Sequence, residues 1–176
     1  YVGAQIMCWT YIYQYAEGIG MDSVTAGYYQ MAAFVLFTVG RAFGTYLLRF
    51  VNAGKLLMLF ALFAIGCTLG VVVINNVVGL YCLVGVSFFM SLMFPTIYGI
   101  ALGKLSEDES KIGSAGLVMA IVGGALMPKR QGMIIDIGGY AVDDVSILGV
   151  SEINFSFLLP ILCFAFISLY GRKNHN

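Results

Sequence analysis

The sequence predicts an all-α polytopic membrane protein with six transmembrane helices, and three observations support this fold class. Of its 176 residues, 60% are apolar and only 10% are charged, and the mean hydropathy is +0.92. Long stretches contain no charged side chain, and the basic residues cluster in alternate connections. A soluble domain usually carries about a quarter charged residues. The composition therefore excludes a soluble enzyme, a nucleic-acid-binding protein and a disordered tail.

The charge-free stretches predict where the spans lie. No Asp, Glu, Lys or Arg occurs in residues 1–16, 23–40, 56–103, 112–128 or 153–171. A helix that crosses a hydrocarbon core of about 30 Å needs roughly 20 apolar residues, so the longest stretch accommodates two helices. The stretches show no alternation with a period of two, which a membrane β-barrel requires. Six spans are therefore predicted, near residues 1–17, 24–48, 55–74, 77–103, 112–136 and 153–171.

The basic residues of the connections predict the orientation. All of them fall in the second connection, the fourth connection and the C-terminal tail, as Arg49, Lys55, Lys104, Lys111, Arg172 and Lys173. The first, third and fifth connections carry acids or amides instead, as Glu17, Asp22, Asn75, Asn76, Asp143, Asp144 and Glu152. By the positive-inside rule the basic face is cytoplasmic, so both chain ends are predicted to be cytoplasmic.

The sequence offers no constellation for enzymatic chemistry. Four cysteines lie inside predicted spans, at spacings that match neither a disulfide framework nor a metal cluster. The single histidine, His175, lies in the polar tail and cannot complete a Ser-His-Asp or Cys-His arrangement within the membrane. We therefore expect a protein that is not an enzyme and that binds no metal.

Polar and aromatic residues of the first span predict a ligand-facing stripe. Gln5, Trp9 and Tyr13 recur at helical spacing, and Trp9 lies in mid-span, where its indole N–H needs a partner. Membrane Trp and Tyr are most often interface anchors. An aromatic ring beside amide groups is, however, also typical of a sugar site, because the ring packs on the pyranose and amides bond its hydroxyls.

The second and fourth spans add further polar positions. Arg41 lies two turns before Arg49 and within snorkelling reach of the cytoplasmic headgroups, which favours a packing and anchoring role. In the fourth span, hydroxyl and aromatic side chains surround Pro95, with Phe94 directly before it. Each alone is typical of packing. Together with the first span they indicate a polar and aromatic cavity.

The fifth span contains charges at membrane depth. Lys129 and Arg130 follow Pro128, which is predicted to interrupt the helix, just beyond the midpoint of the span. A charge in the bilayer is a functional hypothesis by default. The alternative is a span that ends early and leaves this pair near the outer interface. Asp136, seven residues after Lys129 on the same helix face, is either its partner through water or a cap at the outer interface.

Four segments carry a resemblance to a known family. YVGAQIMCWTYIYQYA, GRAFGTYLLRF, FPTIYGIALGKL and GGALMPKRQGMIIDIGG resemble the C-terminal half of the L-fucose:proton symporters of the major facilitator superfamily. The resemblance implies that residues 1–176 are helices seven to twelve of a twelve-helix fold, with the N-terminal half missing. This agrees with a chain that begins in mid-span without an initiator Met. It also implies that the first and fourth spans line a central cavity.

The resemblance implies transport of a monosaccharide, L-fucose or a related hexose, by proton symport and alternating access in the bacterial inner membrane, with no cofactor. We expect Gln5 and Lys129 to bond sugar hydroxyls and Trp9 and Phe94 to stack on the sugar ring, with Tyr13 on the same stripe as Trp9. Lys129 and Arg130 stand where the symporters have apolar residues. Phe94 replaces a tyrosine of the symporters, so one hydroxyl contact is lost.

Gating and structural positions are also implied. Gly44 and Arg49 match a superfamily loop motif loosely, with Leu48 in place of its acid. The coupling carboxylates of the family belong to the missing half. Two alternatives remain, a self-contained six-helix scaffold or channel subunit and a superfamily carrier for a different small solute.

Overall fold

A computed structural model describes residues 1–103, 105–136, 146–147 and 150–174. The predictions for Lys104, Asp143, Asp144 and His175 lie outside these described residues.

The described chain forms six helical spans, which confirms the predicted fold class. The first span is α1 (Val2–Thr10) and α2 (Ile12–Gly18), the second α3 (Ser23–Leu47), the third α4 (Ala53–Val73), the fourth α5 (Val77–Met90) and α6 (Met93–Leu102), the fifth α7 (Glu107–Met119), a 3-10 turn (Ala120–Val122) and α8 (Gly123–Ile135), and the sixth α9 (Glu152–Ser156) and α10 (Leu158–Lys173). Strands β1 (Ser146–Ile147) and β2 (Val150–Ser151) pair antiparallel before the sixth span.

Helix-capping residues at the predicted connections define where the spans begin. The side chains of Asp22, Asn52 and Asn76 each accept a hydrogen bond from the backbone N–H two residues later, at 3.3, 2.9 and 2.8 Å. At the start of α7 the backbone N–H of Ser106 donates to the Glu109 carboxylate at 3.0 Å. The Asx side chains satisfy N–H groups that the first helical turn leaves unpaired, and the Glu109 carboxylate does the same for the N–H of the residue before α7.

Four helical segments of the described chain are long and apolar enough to cross a membrane. They are Ala53–Val73, Val77–Leu102, Glu107–Ile135 and Glu152–Lys173. The first and second spans are not among them, and they carry polar residues such as Gln5, predicted to line a cavity, and Arg41, predicted to anchor the second span. Helices with polar side chains are tolerated at membrane depth where they face protein or water.

The third span is the centre of the packing. It packs against α10 along its length and against α5. The helix backbones approach closely at Gly171, where an added Cβ would lie 2.8 Å from the Met58 nitrogen and 2.9 Å from the Gly54 oxygen. Backbone atoms cannot move aside as a flexible side chain can, so a glycine is required there.

The first, second and fifth spans pack around this centre and are buried to different extents. The second span packs on α5, and the first span packs on α8 through Gly3 and Gly124. Gln131 is the one buried residue of the described fifth span. Most of that span is therefore uncovered by the rest of the chain.

We predict that Gly171→Ala destabilises the detergent-solubilised protein by about 1–3 kcal/mol, because the methyl group forces α10 away from α4. Gly66→Ala is the matched control, since a Cβ at Gly66 meets no atom within 4 Å. Thermal unfolding measures both variants. Equal melting temperatures for the two would contradict the close contact.

Candidate functional site

Trp9 joins three spans in the middle of the bundle. Its indole N–H donates to the Ser87 hydroxyl of the fourth span at 3.2 Å. The ring makes edge contacts with Phe34 and Phe37 of the second span, with centroids 4.9 and 5.1 Å away. The N–H therefore has its partner within the protein, and what remains for a ligand is the uncovered part of the ring.

Gln5 and Tyr13 lie one turn on either side of Trp9. Gln5 is half-buried, and Tyr13 is 37% exposed. Within the described part of the chain, neither side chain has a hydrogen-bond partner. The three predicted residues thus form one partly open stripe on the first span.

The fourth span is interrupted one turn before Pro95. Helix α5 ends at Met90 and α6 begins at Met93. Pro95 has no N–H to donate, and its ring crowds the carbonyl four residues earlier, that of Ser91. The hydroxyls of Ser91 and Thr96 donate to nearby backbone carbonyls at 2.7 and 2.8 Å. These two hydroxyls thus bond backbone carbonyls next to the interruption.

Two glycines of the second span fit against this interruption. A Cβ at Gly40 would lie 2.6 Å from the Phe88 carbonyl oxygen, and one at Gly44 would lie 3.0 Å from the Leu92 side chain. Gly44 is buried, so the structure gives it a packing role between the second and fourth spans. Arg41 and Arg49, on the same span, are exposed.

Phe94 lies at a different depth from Trp9. Its ring is 6.1 Å from that of Tyr1 and 6.2 Å from that of Tyr98. Ser87, the partner of Trp9, precedes Phe94 by seven residues, or about 10 Å of helix. The structure therefore does not place Trp9 and Phe94 where both could stack on the same sugar ring.

The interruption of the first span contacts the fifth span. Tyr11 separates α1 from α2, and its hydroxyl donates to the Pro128 carbonyl at 2.9 Å. The predicted break at Pro128 is displaced, because the irregular turn is Ala120–Val122 and α8 continues through the proline. Two consecutive glycines, Gly123 and Gly124, follow that turn and weaken the helix at that point.

The Tyr11 contact fixes the depth of the charged pair. Lys129 follows Pro128 and therefore lies beside the Tyr11 interruption of the first span, within about one helical turn, roughly 5 Å. Lys129, Arg130 and Asp136 are all exposed, and α8 extends beyond the pair to Ile135. Among the described residues the one ion pair is Lys111 with Asp108, so Lys129 and Asp136 are not in direct contact.

Comparisons with known proteins identify this arrangement. No family model matches the chain. It is 52% identical to the L-fucose-proton symporter of Haemophilus influenzae, over 98% of this chain and 39% of the relative. It resembles a crystal structure of the transporter FucP in the outward conformation, with a TM-score of 0.88 and 34% identity over 100% of this chain and 40% of that one. The chain belongs to the major facilitator superfamily.

Two further relatives are also named as sugar transporters. The Escherichia coli L-fucose-proton symporter is 35% identical over 98% of this chain, and a Brucella abortus glucose/galactose transporter is 30% identical over 97%. The chain spans about two fifths of the length of these relatives. Members of this superfamily are transporters, so the prediction that the chain is not an enzyme is confirmed.

Sequence reasoning missed a buried polar cluster between the fifth and sixth spans of this superfamily fold. Gln131 is fully buried and donates through Nε2 to the Ser156 hydroxyl at 3.0 Å. Asn154 donates to the Val71 carbonyl at 2.9 Å, and Glu152, predicted in a connection, is buried as the first residue of α9. The available signal was Asn154 and Ser156, two polar residues inside an apolar run, whereas Gln131 directly follows two charges.

We predict that Tyr11→Phe lowers stability by about 0.5–1.5 kcal/mol, because the Pro128 carbonyl loses its donor. Thermal unfolding of the purified protein measures the loss, and Tyr28→Phe serves as the control because Tyr28 is 67% exposed. A Tyr11→Phe variant as stable as the control would show that the hydrogen bond does not hold the two spans together.

Proposed function

We propose that the full-length protein transports a monosaccharide, L-fucose or a related hexose, across the bacterial inner membrane together with a proton. The single observation that carries this proposal is the 52% identity to an L-fucose-proton symporter over 98% of the chain. The lower identity to a glucose/galactose transporter, 30%, favours L-fucose over those hexoses.

We propose further that residues 1–176 act as helices seven to twelve and supply one wall of the site. Both ends of the chain would then be cytoplasmic, with Arg49 and Lys55 on the same side as the tail, as the positive-inside rule favours. The relatives contain more than twice this length. A second six-helix half would supply the opposite wall and the carboxylates that bind the proton, and rocking of the halves would alternate access.

The proposed sugar contacts follow from depth and exposure. Gln5, Trp9 and Tyr13 form the partly open stripe of the first span, and Lys129 lies near the same depth. Gln5 and Lys129 bond hydroxyls, while the uncovered part of the Trp9 ring packs on the apolar face of the sugar. Phe94, about 10 Å along the fourth span, contacts the sugar at another stage of its passage.

We assign the remaining candidate residues to the movement of the spans rather than to sugar binding. Pro95 follows the fourth-span interruption, and Pro128 lies within α8, six residues after the fifth-span turn Ala120–Val122; prolines of this kind allow a helix to bend. Gly44 permits the second span to pack at the fourth-span interruption. Arg41 and Arg49 anchor the cytoplasmic end of the second span, and Asp136 marks the outer end of α8.

The substrate is tested by uptake of labelled L-fucose into proteoliposomes that contain the full-length protein. We expect accumulation that requires a proton gradient and is inhibited by unlabelled L-fucose more strongly than by D-glucose or D-galactose. Stronger inhibition by another solute would mean that this solute, and not L-fucose, is the substrate. Accumulation without a proton gradient would remove proton symport from the proposal.

For the site, we predict that Trp9→Ala and Lys129→Ala each lower uptake about tenfold, the effect of losing roughly 1.4 kcal/mol of contact with the sugar. Phe166→Ala is the control, because Phe166 is 74% exposed on the sixth span. Transport rates are compared at equal amounts of folded protein. Rates equal to that of Phe166→Ala would exclude these two side chains from the sugar site.

A further inference from the structure

The fifth span presents one continuous face that the rest of the described chain leaves bare. Its members recur at spacings of three and four residues, so they form a single stripe along the helix. All of them are exposed: Val118, Val122, Ala125, Lys129, Met133 and Asp136. We call this face the Lys129 stripe. It lies opposite Gln131, which is two residues, or about 200° of helix, away from Lys129 and is buried.

The Lys129 stripe does not suit a lipid-facing surface. Lys129 and Arg130 bring two positive charges into the apolar segment Glu107–Ile135, beside the Tyr11 interruption of the first span. Charges inside a membrane are tolerated where they meet protein or water rather than hydrocarbon. Asp136 does not neutralise Lys129 directly, because seven residues of helix separate them by about 10 Å.

Water alone also leaves the two cations poorly compensated. Between packed helices the effective dielectric constant is far below that of bulk water, so neighbouring positive charges repel each other strongly. An ionised group in such surroundings is normally paired with the opposite charge. The partner surface that fits the stripe therefore has a carboxylate opposite Lys129. It has apolar or small side chains opposite Val118, Val122, Ala125 and Met133.

We infer that the Lys129 stripe is covered by the part of the full-length protein outside residues 1–176, and that Lys129 forms an ion pair with an Asp or Glu side chain of that part. The length available supports this, since the chain matches only 39% of its Haemophilus influenzae relative. The inference rests on the proposed two-half arrangement. It names the chemistry of the contact between the halves.

The experiment measures the melting temperature of the full-length protein in detergent, with no sugar present. Lys129→Glu places a carboxylate against a carboxylate, and we expect the melting temperature to fall by roughly 5 °C or more. Each Asp and Glu in the predicted spans outside residues 1–176 is then changed to Lys in the Lys129→Glu background. We expect one such exchange to restore most of the loss.

Lys111→Glu is the matched control. Lys111 lies on the same span, but its ion pair with Asp108 is exposed, with 71% and 92% of the two side chains accessible. A change there should shift the melting temperature by no more than about 1–2 °C, because exposed ion pairs contribute little. If Lys129→Glu does not fold, Lys129→Met replaces it for the melting measurement. Lys129→Cys is then combined in turn with a cysteine at each of those Asp and Glu positions, and one such pair should form a disulfide on oxidation.

Three results would overturn the inference. Melting temperatures of Lys129→Glu and Lys129→Met that match the wild type would place Lys129 in water. Restoration by Asp136→Lys alone would mean that the pair lies within this chain. No restoration at any acidic position would exclude an ion pair between the halves. Since no sugar is present, a failure of the uptake assays leaves these readouts unchanged.

Discussion

The bilayer core contains no water to hydrogen-bond a backbone group that leaves the helical ladder, and this constraint governs the arrangement of the bundle. Four spans, the first, fourth, fifth and sixth, are interrupted, and side chains at the first-span and fourth-span interruptions form hydrogen bonds inside the protein. The Tyr11 hydroxyl bonds the Pro128 carbonyl, which ties the first span to the fifth. In the fourth span the Ser91 and Thr96 hydroxyls bond carbonyls of their own turn. At these interruptions the helical backbone can bend, while side-chain hydrogen bonds keep the two parts of the span in place.

The candidate site lies among these interruptions. Trp9 is two residues from Tyr11, and its N–H bonds Ser87, one turn before the fourth-span interruption. The aromatic ring is thus oriented by the same framework that keeps the broken helices together. Because Phe94 lies about 10 Å further along, the aromatic surface extends over two depths of the bundle rather than surrounding one point. A movement of the fourth span would change the distance between these two rings.

Much of the fold was predictable because hydrophobic length and charge are local properties of sequence. Charge-free stretches predicted six spans, and the capping residues Asn52 and Asn76 fall in predicted connections. The site was only partly predictable. The partner of Trp9 lies 78 residues away, and the burial of Gln131 depends on the packing of another helix, which composition does not report. The irregular turn of the fifth span lies at Ala120–Val122, directly before Gly123 and Gly124, rather than at the proline that predicted it.

The end of the third span is completed by residues far along the chain. The Val71 carbonyl, in the last turn of α4, receives its hydrogen bond from Asn154, 83 residues later. At a synthesis rate of about 5–20 residues per second, that donor follows after roughly 4–17 s. The third span is therefore synthesised before this donor exists. Biosynthesis thus leaves an interval in which the end of the third span lacks the hydrogen bond that the sixth span later supplies.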